Sequence, residues 1–449
     1  MTLRAAVTRR AALAIAGLAT LIAVAPGAAS AAAADPRTPI VFVHGNGDSA
    51  AEWMVTMWRW ESNGYPRDLL FAVNLRNPTA NPLADEPSPG TSTTEAAERQ
   101  LSDYVDGVLE RTGAKKVAFI GNSRGANIIR NFVKLGGGDK VTSHVVLGGG
   151  VNHGAFDIPG LLPTAEFNGA SAFMQSLNTP SEVVPGVDFL TIRSDFFDKY
   201  AQPDGRFIVG FPGIPTNISY DAPELKGAKN LVFRGIDHRE TATSRAAFEA
   251  AFEFITGDEP RRHLIVEERR PRLSGVVTGV TAGLYDNIPA KGADLKIFKI
   301  DRRSGTRIGA AVYRETTDED GRWGPFVADA DTYYEFLLKV PGKPTTHIYR
   351  QPFLRGSKFV HLRPAMNVKD PDEGSVVVLS RPAGYFGVED TLLFDGARPA
   401  FSTDKVPNVV AVTVRTPFRK TSHLARFGDE TLGLRNWPKG HVAIAEFND

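Results

Sequence analysis

Two kinds of chain follow one another in this sequence: an α/β half built on a mostly parallel sheet, then an all-β region of sandwich or barrel modules. Three observations predict this. Between residues 39 and 257, short β-branched runs alternate with helical stretches. After "GDEPRRH" the helical periodicity stops and alternating, turn-separated runs take over. Within the first half, the glycine-flanked serine of Gly121-Asn122-Ser123-Arg124-Gly125 falls where a strand gives way to a helix.

The elements of the α/β half read in order. "PIVFVHG" is a strand, "TSTTEAAERQLSDYVDGVLERTGA" a helix with Thr or Ser caps, "KKVAFIG" a strand, and "SRGANIIRNFVKLGGG" a helix that ends in glycines. "SHVVLGGG", "VDFLTIRS" and "NLVFRG" are further strands, and "ATSRAAFEAAFEFITG" is the last helix. Continuous apolar strands separated by helices imply a parallel sheet covered on both faces. In the second half, "ADLKIFKI", "YYEFLLKV", "KFVHLRP", "SVVVLS", "NVVAVTV" and "HVAIAEF" alternate with Gly, Pro and Asp turns. "MNVKDPDEGS" marks a seam near residue 370. The expected organisation is a signal peptide (1–31), an α/β domain (32–260) with a lid-like insertion (153–186), a β-sandwich module (261–370) and a second β module (371–449).

The first segment places Arg4, Arg9 and Arg10 before the apolar run "AALAIAGLATLIAVAP" and the small residues "GAASAAAAD". That is the layout of a secretory signal, so a secreted protein is expected, and the run is too short for stable membrane insertion. The Arg9-Arg10 pair leaves twin-arginine and general secretory export both open. The 449 residues include no cysteine, which excludes thiol nucleophiles, thiolate metal sites and disulfides. A formal net charge of +1 gives no electrostatic reason to expect nucleic acid.

The chemistry gathers in the first half. Ser123 stands at a strand-to-helix turn that lifts a hydroxyl off the sheet edge, and the flanking glycines let that turn close. A hydrolytic serine needs two backbone donors for the oxyanion. They are assigned to the N–H groups of Asn46, in the glycine-rich loop "HGNG" after the first strand, and of Arg124. The base is His238, after the last strand of the α/β half, with His153 a distant second. The chain order Ser, acid, His places the carboxylate after "VDFLTIRS", where Asp198 is preferred to Asp195, and Asp157 is a weaker alternative.

These pieces, "FVHGNGDSAAEW", "ERTGAKKVAFIGNSRGANIIRNFV", "VVLGGGVNHG", "LTIRSDFFD" and "GAKNLVFRGIDH", resemble the bacterial and archaeal true lipases of the α/β-hydrolase superfamily in both content and order. The resemblance implies a secreted serine carboxylic-ester hydrolase acting on long-chain esters such as triacylglycerols. An extracellular polyester depolymerase of the polyhydroxyalkanoate type, or a short-chain esterase, is the alternative. A lipid- or polymer-binding protein with an inactive hydrolase domain is the alternative outside enzymes. One departure is Asn122, where many lipases carry histidine. The β half resembles the regulatory β-sandwich modules beside secreted hydrolases, and either substrate attachment or a purely structural role fits it.

The insertion at 153–186 is long for a simple connection and carries Phe156, Leu161, Leu162 and Phe167 among Pro, Gly and Asn, as a substrate-binding lid or acyl wall does and as a cap helix with a buried face also would; the substrate role is preferred. The expected partner is a lipid or polyester substrate at an interface; oligomeric state is not legible. Trp53, Met57 and Trp60 share one helical face and read as core. "TTDEDGRWGPF" contains Asp318 and Asp320 beside Gly321, a fragment of a calcium loop without the full ligand set, so it reads as a hairpin turn. No metal and no cofactor is assigned.

Overall fold

Every residue of β1 (Ile40–Val43) is buried, with Val41 and Val43 on one side of a sheet and Ile40 and Phe42 on the other. β2 (Leu70–Ala72), β3 (Val117–Asn122), β4 (Thr142–Gly148), β5 (Asp188–Ser194) and β6 (Lys229–Phe233) complete a six-stranded sheet of order β2-β1-β3-β4-β5-β6. All of its pairings are parallel. The computed structural model describes residues 37–81, 88–366, 375–417 and 421–448. The expected signal segment and most of the expected seam near 370 lie outside them.

Helices cover both faces of the sheet, as the unbroken apolar strands require. α2 (Thr94–Thr112) begins where Thr93 Oγ1 accepts the Ala96 N–H and ends at Gly113, whose φ of 67° is a left-handed stop. With α3 (Arg124–Lys134) it packs Val105, Val108, Ile128 and Phe132 on one face. α1 (Met54–Ser62) and α6 (Arg245–Thr256) pack Met57, Trp60, Phe248 and Phe252 on the other. Trp53 joins this second cluster, so the three residues expected as core are buried together. The insertion contributes α4 (Ala172–Asn178). The last predicted helix is two: α5 (Glu240–Thr243) stops at Ser244, whose extended ψ of 162° breaks it and whose Oγ caps α6.

The second half is β throughout. It runs through β7 (Arg272–Val276), β8 (Thr278–Thr281), β9 (Leu284–Pro289), β10 (Asp294–Ile300), β11 (Tyr313–Thr316), β12 (Arg322–Val327), β13 (Tyr333–Lys339) and β14 (Thr345–Arg350). β15 (Ser375–Ser380), β16 (Leu392–Phe394), β17 (Ala411–Thr416), β18 (Ser422–Phe427), β19 (Glu430–Arg435) and β20 (His441–Glu446) follow. One seven-stranded sheet, β11-β10-β13-β14-β20-β15-β17, takes strands from both sides of residue 370. A seam there divides the chain but not the sheet. β14 sends Ile348 into one core and Tyr349 into another, so both faces of this sheet are covered.

Two local expectations change. "KFVHLRP" is not a strand: it runs beside β7, but its pairing slips by one residue between the bridges Leu273–Ser357 and Val277–Leu362. A tight turn, His361 N–H to Phe359 O at 2.9 Å, takes up the extra residue. The Asp318 turn joins β11 and β12, which belong to different sheets, so it is no hairpin; Asp318 Oδ1 accepts the Asp320 N–H at 3.0 Å.

The two halves share a core. Met54 and Trp58 on the outer face of α1 join the cluster of Leu273, Trp323 and Phe353, and Trp58 Nε1 donates to Gly356 O at 3.1 Å. Among the described residues no helix is long and apolar enough to cross a membrane.

Candidate active site

β3 delivers Ser123 and α3 leads away from it. The chain cannot pass from strand to helix so abruptly without strain, and Ser123 carries it: φ is 54° and ψ −121°, outside the regions that L-residues favour. Two glycines make room. A Cβ on Gly125 would run into Val43 O and would lie 2.9 Å from His44 O, which is how closely α3 presses on β1. A Cβ on Gly45 would lie 3.3 Å from Ser123 Cβ, so the loop after β1 passes directly beside the serine. Asn46 is the next residue of that loop, and its Oδ1 accepts the Ala80 N–H at 2.7 Å. Arg124 is the first residue of α3, so its N–H has no acceptor within the helix, and the Ser123 side chain does not cap it. Asn46 thus follows a residue that touches Ser123, and Arg124 follows Ser123 in the chain.

His238 stands in the loop between β6 and α5. Its Nδ1 lies 2.8 Å from Asp198 Oδ1, and Asp198 also accepts the Tyr200 N–H at 2.8 Å. A carboxylate accepts, so Nδ1 is the donor of this pair and Nε2 is the ring nitrogen left for another partner. Nε2 is buried and has no hydrogen-bond partner among the described residues. Of the carboxylates left open, Asp198 meets the imidazole. Asp195 Oδ1 instead accepts the N–H of its neighbour Phe196 at 2.8 Å and that of Gly235, in the loop after β6, at 3.4 Å. Asp157 accepts Asn217 Nδ2 through its backbone oxygen, and His153 pairs with Ala222 O and Glu182.

Several side chains make contacts at this site that the sequence did not foresee. Asn122 Nδ2 donates to both Gly148 O and His238 O at 3.1 Å, so the residue before the serine ties β4 to the backbone of His238. The Arg124 side chain, read only for its backbone, is fully buried. It donates to Glu166 Oε1 (2.8 Å), Pro78 O (2.8 Å) and Ser92 O (3.0 Å), joining the insertion to two loops. Glu52 hides in the aromatic run after "HGNGDSAA" and accepts the Gly45 N–H at 3.3 Å. Burial, then the nearby Asp48, pushes its carboxyl up to about 8. His44 is buried neutral: burial lowers it to about 4, and its Nε2 accepts the Leu75 N–H. A polar residue inside an apolar run was the available signal for Glu52; Asn122 had none beyond its position.

Aromatic rings wall the imidazole. The Tyr200 ring meets it edge-on at 4.7 Å, and Tyr385, from the second half, lies 6.4 Å away. Lys199 Nζ sits 4.8 Å and 4.5 Å from these two rings, and burial lowers its ammonium to about 8. Ser123 is 7% exposed and His238 1%.

The four expected substrate residues lie in one hydrogen-bonded coil. Asn168 holds it by donating to Ile158 O and Leu161 O. Leu161, Leu162 and Phe167 are half-buried, while Phe156 is buried and stacks on Phe211 at 5.0 Å and 18°. Phe211 belongs to the loop "GRFIVGFPGIP" that follows Asp198. That loop exposes Val209 (97%) and Ile214 (48%), an apolar tip missed in the sequence because no periodic pattern marks it.

Residues 37–158 match the class 2 lipase family, and residues 272–367 match the lipase C-terminal domain. Among solved structures, the chain is similar to Aspergillus fumigatus lipase B at 15% identity, covering 51% of this chain and 54% of that one, TM-score 0.37. A mature Bacillus licheniformis lipase is similar at 18% identity, covering 50% and 91%, TM-score 0.34. A Paleococcus ferrophilus monoacylglycerol lipase is similar at 12% identity, covering 49% and 96%, TM-score 0.33.

Proposed function

We propose, starting from a chain of the lipase family with an α/β-hydrolase half and a lipase C-terminal domain, that it hydrolyses long-chain carboxylic esters through a Ser123 acyl-enzyme. The observation that carries this reading is the Asp198–His238 pair, with a buried, unpartnered Nε2, in one fold with a serine held at a strained strand-to-helix turn. His238 Nε2 takes the Ser123 Oγ proton as the oxygen attacks the ester carbonyl. The N–H groups of Asn46 and Arg124 donate to the oxyanion. The imidazolium, stabilised by Asp198, then protonates the departing alcohol; water, deprotonated by His238, releases the acid. No cofactor enters these steps.

The apolar tip at Val209 and Ile214 supports a substrate presented at a lipid surface, since burying one such side chain is worth about 1.5–3 kcal/mol. The signal-like segment at residues 1–31 supports action outside the cell. Nitrophenyl esters of increasing acyl length, offered to the mature protein and to Ser123→Ala, test the reading. Activity that rises with chain length and disappears in the variant is expected. Equal rates from both proteins would sink it, and serine-dependent activity confined to short chains would replace the lipase with an esterase or polyester hydrolase.

A further inference from the structure

The loop that carries His238 is held from outside its own domain. Asp237, fully buried, faces two ways. Its Oδ1 accepts the N–H groups of Arg239 (2.7 Å) and Glu240 (3.0 Å), which caps the start of α5 immediately after the imidazole. Its Oδ2 accepts Arg381 Nη1 at 3.0 Å and the Tyr385 N–H at 2.6 Å, both from the segment that leaves β15. Arg381 Nη2 reaches Glu240 as well, so one guanidinium forks across both carboxylates of the base loop. Around that fork, Thr243 Oγ1 donates to Ala383 O (2.6 Å) and Arg239 Nη1 to Pro382 O (2.8 Å). Tyr385 then lays its ring beside His238.

We infer that Arg381 is a positioning residue for the general base: its buried fork on Asp237 and Glu240 fixes the loop that aims His238 at Ser123. The inference rests on the hydrolase reading above. A buried ion pair is weak evidence of stability, since desolvation offsets much of the attraction, but it fixes geometry and is costly to break on one side only. Position is what a base needs, because a misplacement of about 1 Å can cost about a hundredfold in rate. The charged and titratable groups facing Asp237 are Glu240 and Arg239 from its own loop, Lys199 from the Asp198 loop, and Arg381 and Tyr385 from the second half. Burial and Glu240 raise the Asp237 carboxyl while Arg381 holds it down. Without Arg381 the carboxyl takes a proton at higher pH.

The test uses the full mature chain and a dissolved short-chain nitrophenyl ester, with kcat and KM followed from about pH 5 to about 9. Arg381→Met is expected to lower kcat by about tenfold to a hundredfold with KM nearly unchanged. Its acid limb should move to higher pH. Adding Asp237→Asn, which removes the stranded titratable group, should return the acid limb to its original place. A kcat and acid limb like those of the parent overturn the inference, and so does a fallen kcat with an unmoved acid limb, the mark of general structural damage. Should Arg381→Met fail to fold, Arg381→Lys decides: it keeps the charge but not the fork, so kcat must fall at constant KM, and parent-like kinetics overturn the inference. Ser123→Ala separates the two failures: if it is inactive while the Arg381 variants behave as the parent, only the positioning role is lost.

Discussion

At the scale of single residues, the site is decided by which polar atoms find partners. Asp198 and Asp195 are three positions apart on one loop, yet one accepts the imidazole and the other its own backbone. Asp198→Asn is therefore expected to lower kcat by about ten-thousandfold, by analogy with removal of the orienting acid from a serine–histidine pair. Asp195→Asn keeps the same acceptor oxygen and should change kcat by no more than about twofold. Steady-state kinetics on one ester compares them directly. Glu52 carries a different consequence. Its carboxyl is raised from 4.5 to about 8, so between those values the folded protein holds a proton that the unfolded chain has released. Raising the pH through this window removes stability. Glu52→Gln cannot titrate, and its unfolding midpoint should fall less between pH 5 and 8 than that of the parent; parallel declines would show that Glu52 ionises freely.

At the scale of elements, the loop after Asp198 joins two tasks. Its beginning supplies the carboxylate, and its tip puts Val209 and Ile214 into solvent, while Phe211 stacks on Phe156 of the insertion. Insertion and tip are thus one layer, with the insertion pinned to α3 by the buried Arg124–Glu166 pair. A charge at the tip should weaken adsorption to an apolar surface. Val209→Asp is expected to reduce the ratio of emulsified to dissolved ester hydrolysis by about tenfold, the size of a lost valine burial. An unchanged ratio would remove the tip from any role at the substrate surface.

At the scale of the whole molecule, the β half holds the loops of the site as well as the surface of the hydrolase half. Arg363 donates to Gly47 O (3.0 Å) and Asp48 O (2.7 Å) in the loop beside Ser123, and Arg381 grips the loop of His238. Met54 and Trp58 complete a core whose other members come from the β half. A chain ending at Gly257 would expose those two side chains and strip Asp237 of its Arg381 and Tyr385 contacts. It is expected to be poorly soluble and inactive in a centrifugation and ester-hydrolysis assay. A soluble, active fragment would show that the first half is self-sufficient.

How much of this was legible in the sequence follows from the range of the interactions involved. The alternation of buried strands and helices and the glycines around Ser123 are local patterns, because strand burial, turn strain and capping act over a few residues, and the chain order Ser, acid, His then points to the loops of Asp198 and His238. The sequence by itself thus determined the α/β half and its all-β successor, and it offered a short list of site residues, with Asp198 preferred to Asp195 and to Asp157. What only the tertiary structure decided are the pairings between distant segments: Asp198 with His238, Asn122 with the His238 backbone, Arg381 with Asp237, and one sheet drawn from both sides of residue 370. Burial and hydrogen bonding select such partners by three-dimensional proximity, and no local periodicity records which distant residue will fill a given place.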